Sequence, residues 1–334
     1  MSKLLNVKIV GIGKVVGSKI MTSNELGRKM GIKDDWIERA SGVYSRHYID
    51  KAIGESALTL GTKAAQLALE DANLHVSDID CIIGASGSPL QAIPCAAALF
   101  QRELGLETSG ISCFDVDTTC YSFPLALFIA SNLVQTNVYK KILIISADTP
   151  SPTLDIAERE VRALFGDGAA AVVVTQTPEG EQSKVHHFKL NTYSEGADYT
   201  AIKGGGTLKP PNDLETKPED NVFQMQGKKV FKTAVRYLKP FLEDLEEETG
   251  LTNSDYKFIV PHQTSKNGME ILRKYGFGKD RVANHLRDHG NCIAASIPMV
   301  FHDYIKSGQI QRGDTVLLFG TSAGLSLGAL SITY

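Results

Sequence analysis

Short runs of β-branched and aliphatic residues alternate along this chain with longer stretches in which apolar positions recur every three to four residues. "DCIIGAS", "SCFDV", "KKILIISAD", "AAAVVVTQ", "YKFIVP" and "TVLLFGTS" are of the first kind. They predict buried strands, because a strand covered on both faces loses the polar alternation of a half-exposed one. "PCAAALFQREL", "SFPLALFIASNLVQ", "NGMEILRKYG" and "SIPMVFHDYIKSG" are of the second kind and predict helices. Strands alternating with helices in this way predict an α/β chain with a mostly parallel sheet.

The pattern occurs twice. "DCIIGASGSPLQAIPCAAALFQRELGL" (Asp80 to Leu106) reads as strand, turn, helix and glycine stop, and "YKFIVPHQTSKNGMEILRKYGFG" (Tyr256 to Gly278) has the same layout. At the same offset, roughly 175 residues, "TTCYSF" to "ISAD" (Thr118 to Asp148) matches "HGNCIA" to "FGTS" (His289 to Ser322). The chain therefore reads as two similar halves, 1–176 and 177–334, joined at the linker-like "TPEGEQSK" after Gln176. "SEGADYTAIKGGGTLKPPNDLETKPED" (Ser194 to Asp220) is rich in Gly, Pro and charge and reads as a surface loop.

Composition narrows the function classes. With 334 residues, 43% of them hydrophobic, the chain has ample material for a large core. A formal net charge of −3 does not suit an electrostatic grip on nucleic acid or on an anionic membrane surface. The five cysteines show no CxxC or Cys/His metal spacing, so neither a disulfide framework nor a metal is expected. The amino-terminal "MSKLLNVKIVGIGKVVG" lacks a signal-peptide core, and no apolar run is long enough to span a bilayer. A reduced, cytoplasmic protein is the expectation.

Duplication also brings chemistry together. If equivalent strand ends meet near a pseudo-twofold axis, three polar residues converge: Cys120 opening the helix after "SCFDV", His262 following "KFIVP", and Asn291 opening the helix equivalent to that of Cys120. A thiol at a helix N-terminus is expected to have a lowered pKa and to act as a nucleophile. His262 can serve as its base or, like Asn291, as a donor to a developing oxyanion. Each residue alone also has a plainer reading: packing for the cysteine, backbone capping for the histidine and asparagine. Cys81, Cys95, Cys113 and Cys292 are assigned to packing. "FGDGAAAVVV" lacks a phosphate-loop Lys and reads as a structural turn, and "GIGKVVG" is not the dinucleotide fingerprint.

At these residues the chain resembles the thiolase superfamily, and within it the β-ketoacyl-acyl-carrier-protein synthase III group. The resemblance runs through "DDWIERASGVYSRHY", "FDVDTTCYSF", "FGDGAAAVVV", "FQMQGKKVFKTAV", "VPHQTSKN", "HGNCIAASIP" and "FGTSAGLSLG". It implies a five-layered αβαβα fold, a homodimer, no resident cofactor, and a Cys-His-Asn triad at Cys120, His262 and Asn291. It further implies that an acyl group from CoA or acyl-carrier protein loads onto Cys120, and that a malonyl thioester then condenses with it by decarboxylation. The backbone N–H groups of Cys120 and Ala323 would form the oxyanion hole.

For the thioester's phosphopantetheine arm and nucleotide, the resemblance points to Trp36, Arg39, Gly227, Lys232 and Ser265, and for the acyl pocket to Ile93. Ala40 stands where relatives place an arginine, and "HQTSKN" replaces "HQAN.R", with Lys266, Lys228, Lys229, Lys232 or Arg236 as substitute cations for carrier-protein docking. "DTTCYSF" and "SAGLSLG" depart from the housekeeping pattern toward secondary-metabolite branches, which implies a medium or long acyl group. Acyl transfer to an alcohol or amine, head-to-head condensation of two acyl-CoAs, and an inactive dimeric partner or carrier-protein binding module are the alternatives.

Overall fold

The computed structural model describes residues 4–32, 36–154 and 158–334; Asp34 and Asp35 of the "DDWIERASG" motif lie outside them. The first sheet contains β1 (Val7–Val16), β2 (Cys81–Gly84), β3 (Ser112–Asp115), β4 (Lys141–Asp148) and β5 (Gly168–Gln176) in the order β1-β5-β4-β2-β3. The second contains β6 (Lys184–Thr192), β7 (Phe258–Pro261), β8 (Thr315–Ser322) and β9 (Ser326–Thr333) in the order β7-β8-β9-β6. In each sheet an antiparallel pair of strands leads into a parallel pair, so β1, β5, β4 and β2 correspond to β6, β9, β8 and β7. The counterpart of β3 has shrunk to one parallel bridge, Ile259 to Val282.

Side-chain alternation along these strands creates the layers, because successive residues face opposite sides of a sheet. Ile83, Ile142, Ile144, Val172 and Val174 of the first sheet join Val260, Val316, Leu318 and Leu330 of the second in one central core. Between them lie helices α3 (Ser122–Gln135) and α6 (Ser296–Lys306). The residues between those positions face outward: Ile82, Leu143, Ile145 and Val173 pack on α1 (Ala57–Asp71) and α2 (Ala96–Glu103). Ile259, Leu317, Phe319 and Ala329 pack on α4 (Gly227–Thr249) and α5 (Lys266–Lys274). The result is five layers, αβαβα, as the resemblance implies.

The glycine motifs serve this packing. A Cβ at Gly13 would stand 2.2 Å from the Ala64 carbonyl oxygen, so the "GIGKVVG" strand lets α1 lie directly on β1. In "FGDG", Gly166 abuts the His289 carbonyl, and Asp167 accepts hydrogen bonds from the N–H groups of Ile49 (2.8 Å) and Ser151 (2.9 Å). That turn is a structural junction. The segment Ser194–Asp220 departs from the sequence reading of a plain surface loop. Its Thr200–Ala201 strand pairs with Gln224–Met225, and Thr200, Ala201 and Ile202 line the main cavity. No helix among the described residues is long and apolar enough to cross a membrane.

Tyr121, fully buried at the head of α3, locks the central layer to the second sheet. Its hydroxyl donates to the Leu318 carbonyl at 2.9 Å, and its ring fills the space above Gly320 and Gly328. A Cβ at Gly328 would meet that ring at 2.3 Å. Gly328→Ala is therefore expected to destabilise the fold by about 1–3 kcal/mol through overpacking. Urea unfolding measures this, and adding Tyr121→Leu should restore part of the loss. An unchanged midpoint for Gly328→Ala would contradict the packing described.

Candidate active site

Cys120 lies in the 3-10 turn Thr119–Tyr121 that opens α3. The preceding Thr119 has φ +50°, an uncommon backbone for a β-branched residue, held because its N–H donates to Asp117 Oδ1 at 2.7 Å. The Thr118 N–H donates to Ser122 Oγ at 3.0 Å. The other half repeats every feature. Ile293 has φ +50°, its N–H donates to Asn291 Oδ1 at 2.8 Å, and the Cys292 N–H donates to Ser296 Oγ at 2.9 Å. Asn291 thus corresponds to Asp117, and Cys120 corresponds to Ala294. Since an N–H can only donate, Asn291 must turn Oδ1 to Ile293, which leaves its amide NH₂ as the free donor.

His262 follows β7, its N–H bonded to the Phe319 carbonyl at 2.8 Å, and the residue is 4% exposed. Cys120, His262 and Asn291 share the wall of one cavity of about 780 Å³, together with Ala323, Gly227 and Ser265. Its apolar side is made by Leu154, Leu164, Phe165, Phe223 and Ile293, a small cluster separate from the main core. Ser265 also caps α5, accepting from the Gly268 N–H at 3.3 Å. Four expected substrate-binding residues are elsewhere. Trp36 packs near Leu26 and Ile37, Arg39 and Lys232 are exposed on helices, and Ile93 is 84% exposed on the loop before α2.

The electrostatics differ from the sequence reading in one respect. The Cys120 thiol is not lowered but pushed up to about 12, first by burial and then by the negative charge of Asp148. The nearby Ala323 N–H, Thr119 hydroxyl and Cys120 N–H act in the other direction without offsetting this. Asp148 is itself raised to about 6 by burial, although it accepts from the Gly87 and Ser88 N–H groups (both 3.0 Å), the Ser88 hydroxyl (2.7 Å) and the Ala295 N–H (3.2 Å). Burial lowers His262 to about 4, so its imidazole is neutral at physiological pH. Its Nδ1 is buried without a hydrogen-bond partner.

Ala323 and Cys120 share the cavity wall, with their N–H groups close to the sulfur. Two hydroxyls that sequence reasoning passed over form a chain to the Ala323 N–H. Thr119 Oγ1 accepts from the Ala323 N–H at 3.0 Å and is hydrogen-bonded to Ser322 Oγ, which in turn bonds the Thr118 carbonyl. The available signal was a hydroxyl residue beside the cysteine and another beside the "AG" of the closing loop.

Comparison with known proteins decides the family. Residues 114–194 match the family model of 3-oxoacyl-[acyl-carrier-protein (ACP)] synthase III, and residues 246–334 match the model of its C-terminal portion. A β-ketoacyl-[acyl-carrier-protein] synthase III of Neisseria gonorrhoeae is 35% identical over 98% of this chain and 99% of its own. The chain belongs to the 3-oxoacyl-[acyl-carrier-protein] synthase III family. The synthase III of Clostridium acetobutylicum is 31% identical over the same shares of the two chains. The crystal structure of the Aquifex aeolicus synthase III superposes with a TM-score of 0.86 at 28% identity, covering 98% of this chain and all of that one. The protein is accordingly an acyl-transferring condensing enzyme with a thiolase-like fold.

In this synthase III the raised thiol pKa makes the thiolate a minor species near neutrality, growing about tenfold per pH unit below the pKa. Alkylation of Cys120 by iodoacetamide, followed by peptide mass mapping, is therefore expected to accelerate from pH ~6 to ~9 without a plateau. A plateau already reached below neutrality would reveal a preformed thiolate–imidazolium pair instead.

Proposed function

We propose that this enzyme carries a medium or long acyl group on Cys120 and extends it by decarboxylative condensation with a malonyl thioester. The observation that supports this most is the shared cavity wall of Cys120, His262 and Asn291, with an apolar side beyond the thiol. In the first half-reaction Sγ attacks the carbonyl carbon of an acyl thioester while neutral His262 takes the thiol proton. The tetrahedral oxyanion is held by the Cys120 and Ala323 N–H groups, the Thr119 hydroxyl giving up its bond to Ala323. The carbon–sulfur bond of the donor then breaks, and the departing thiolate recovers the proton from His262.

In the second half-reaction neutral His262, now in the tautomer that carries its proton on the cavity-facing nitrogen, and the Asn291 NH₂ donate to the thioester carbonyl of the malonyl group. The bond to the carboxylate breaks, CO₂ leaves, and the electron pair becomes an enolate whose charge those two donors stabilise. Its carbon attacks the acyl-Cys120 carbonyl, forming the β-keto thioester and expelling the Cys120 thiolate, which takes a proton from solvent. A neutral histidine suits this step, because a donor that keeps its proton stabilises the enolate without quenching it. Gly227 and Ser265 flank the path of the phosphopantetheine arm, and the exposed lysines of α4 are candidates for carrier-protein docking. The working unit is a cytoplasmic homodimer, with the exposed Ile93 loop seated against the second copy toward its acyl pocket.

Intact-protein mass spectrometry with acyl-CoAs of graded length, followed by malonyl thioester, tests this reading. Wild type is expected to form adducts that clear with CO₂ release, and Cys120→Ala to form none. Asn291→Ala should still acylate while condensation falls on the order of 10²–10³-fold, the effect of removing one oxyanion donor. Adducts that persist with every malonyl thioester, or a preference for acetyl alone, would overturn the proposal.

A further inference from the structure

Away from the cavity, three histidines gather around one carboxylate, and a fourth packs on one of them. His285 Nδ1 is 2.7 Å from Asp303 Oδ2, His302 Nδ1 is 2.9 Å from Oδ1, and His289 Nε2 is 3.8 Å from Oδ2. His47 stacks obliquely on His289, with ring centroids 5.5 Å apart. Lys14 extends into this group from β1, its Nζ 2.6 Å from Asp303 Oδ2 and 3.3 Å from His289 Nε2. His285 and His289 are one helical turn apart at the short helix Leu286–His289, and Asp303 comes from α6. Their three ligand atoms lie within 4.8 Å of one another and are half-buried.

We propose that His285, His289 and Asp303 form a binding site for a divalent transition-metal ion, with Zn²⁺ as the ion that suits it. Two imidazoles and a carboxylate are a borderline donor set of the kind zinc accepts. Bonds of about 2.0–2.2 Å bridge atoms 3.8 Å apart at an open angle, so Asp303 Oδ2 and His289 Nε2 need no rearrangement. His285 Nδ1 must give up its proton and back away from Oδ2 from 2.7 Å to about 3.4 Å, the tetrahedral spacing. The Lys14 ammonium already occupies this seat, spanning the same two atoms, and acts as a tethered cation that the metal displaces. His302 remains on Oδ1 and keeps the carboxylate oriented for the ion, as outer partners of metal ligands do. Binding would fasten the segment just before Asn291 to α6, joining the site to the core without adding to its chemistry. The inference does not depend on the reaction proposed above.

The test uses the full chain, stripped with chelator and titrated with Co²⁺ as a spectroscopic probe and with Zn²⁺ by calorimetry and thermal melting. Expected are a Co²⁺ spectrum free of thiolate charge transfer, one Zn²⁺ equivalent, and a rise in melting temperature with Zn²⁺ concentration. His285→Ala should weaken binding roughly 10–100-fold, at least what loss of an outer partner costs. Lys14→Met should tighten it, provided circular dichroism shows both variants folded. The proposal is overturned if neither wild type nor Lys14→Met binds, if His285→Ala binds as wild type does, or if thiolate charge transfer places the ion on cysteine.

Discussion

Two β-branched residues in left-handed backbone, Thr119 and Ile293, set the geometry on which the site depends. Each costs on the order of 1–3 kcal/mol relative to an ordinary conformation. Each is held by the same devices, an Asx side chain two residues earlier and a serine three residues later. The two turns meet at Gly87, where a Cβ would collide with Ile293 Cγ2 at 2.5 Å and the Thr119 carbonyl oxygen at 2.9 Å. Asp148 ties that meeting point together, accepting from Gly87 and Ser88 on one side and Ala295 on the other. The strain is sustained because both halves press on it from a close-packed central layer.

Burial then settles the protonation states. In a wall with few charges, the neutral forms of both Cys120 and His262 are favoured, so the thiol is raised and the imidazole lowered. This moves their pKa values apart, the reverse of a preformed ion pair. Proton transfer then accompanies attack, and the imidazole remains a neutral donor where an enolate has to be stabilised. The buried Asp148 contributes to stability with the opposite sign from most carboxylates. Its folded pKa lies above the unfolded value, so stability is highest below about pH 4 on its account and is lost as pH rises through about 6.

Much of this was legible in the chain. The buried strands were visible as apolar runs, the duplication as a recurring strand-turn-helix layout, and the convergence of Cys120, His262 and Asn291 as a consequence of that duplication. An apolar run is a local property, and a repeat is a comparison of the sequence with itself, so neither needs coordinates. Most of the segment Ser194–Asp220 is exposed as its composition implied, but composition reports solvation on average, and three of its residues, Thr200, Ala201 and Ile202, form cavity wall. The thiol pKa was misjudged because a helix N-terminus is a local feature, whereas burial and the charge of Asp148 come from distant segments.

The sequence by itself determined the layers and the recurrence of one strand-turn-helix layout, and it singled out Cys120, His262 and Asn291, which share one cavity wall, because these follow from periodicity and from equivalence within the chain. Only the tertiary structure decided the rest. It matched Asn291 to Asp117 and not to Cys120, engaged the Thr119 hydroxyl, itself bonded to Ser322, at the Ala323 N–H, and assembled three histidines and Lys14 around Asp303. It also left Trp36, Arg39, Lys232 and Ile93 off the cavity wall. Each of those outcomes depends on distances of a few ångströms between side chains tens to hundreds of residues apart, and hydrogen bonding and desolvation act only at that range.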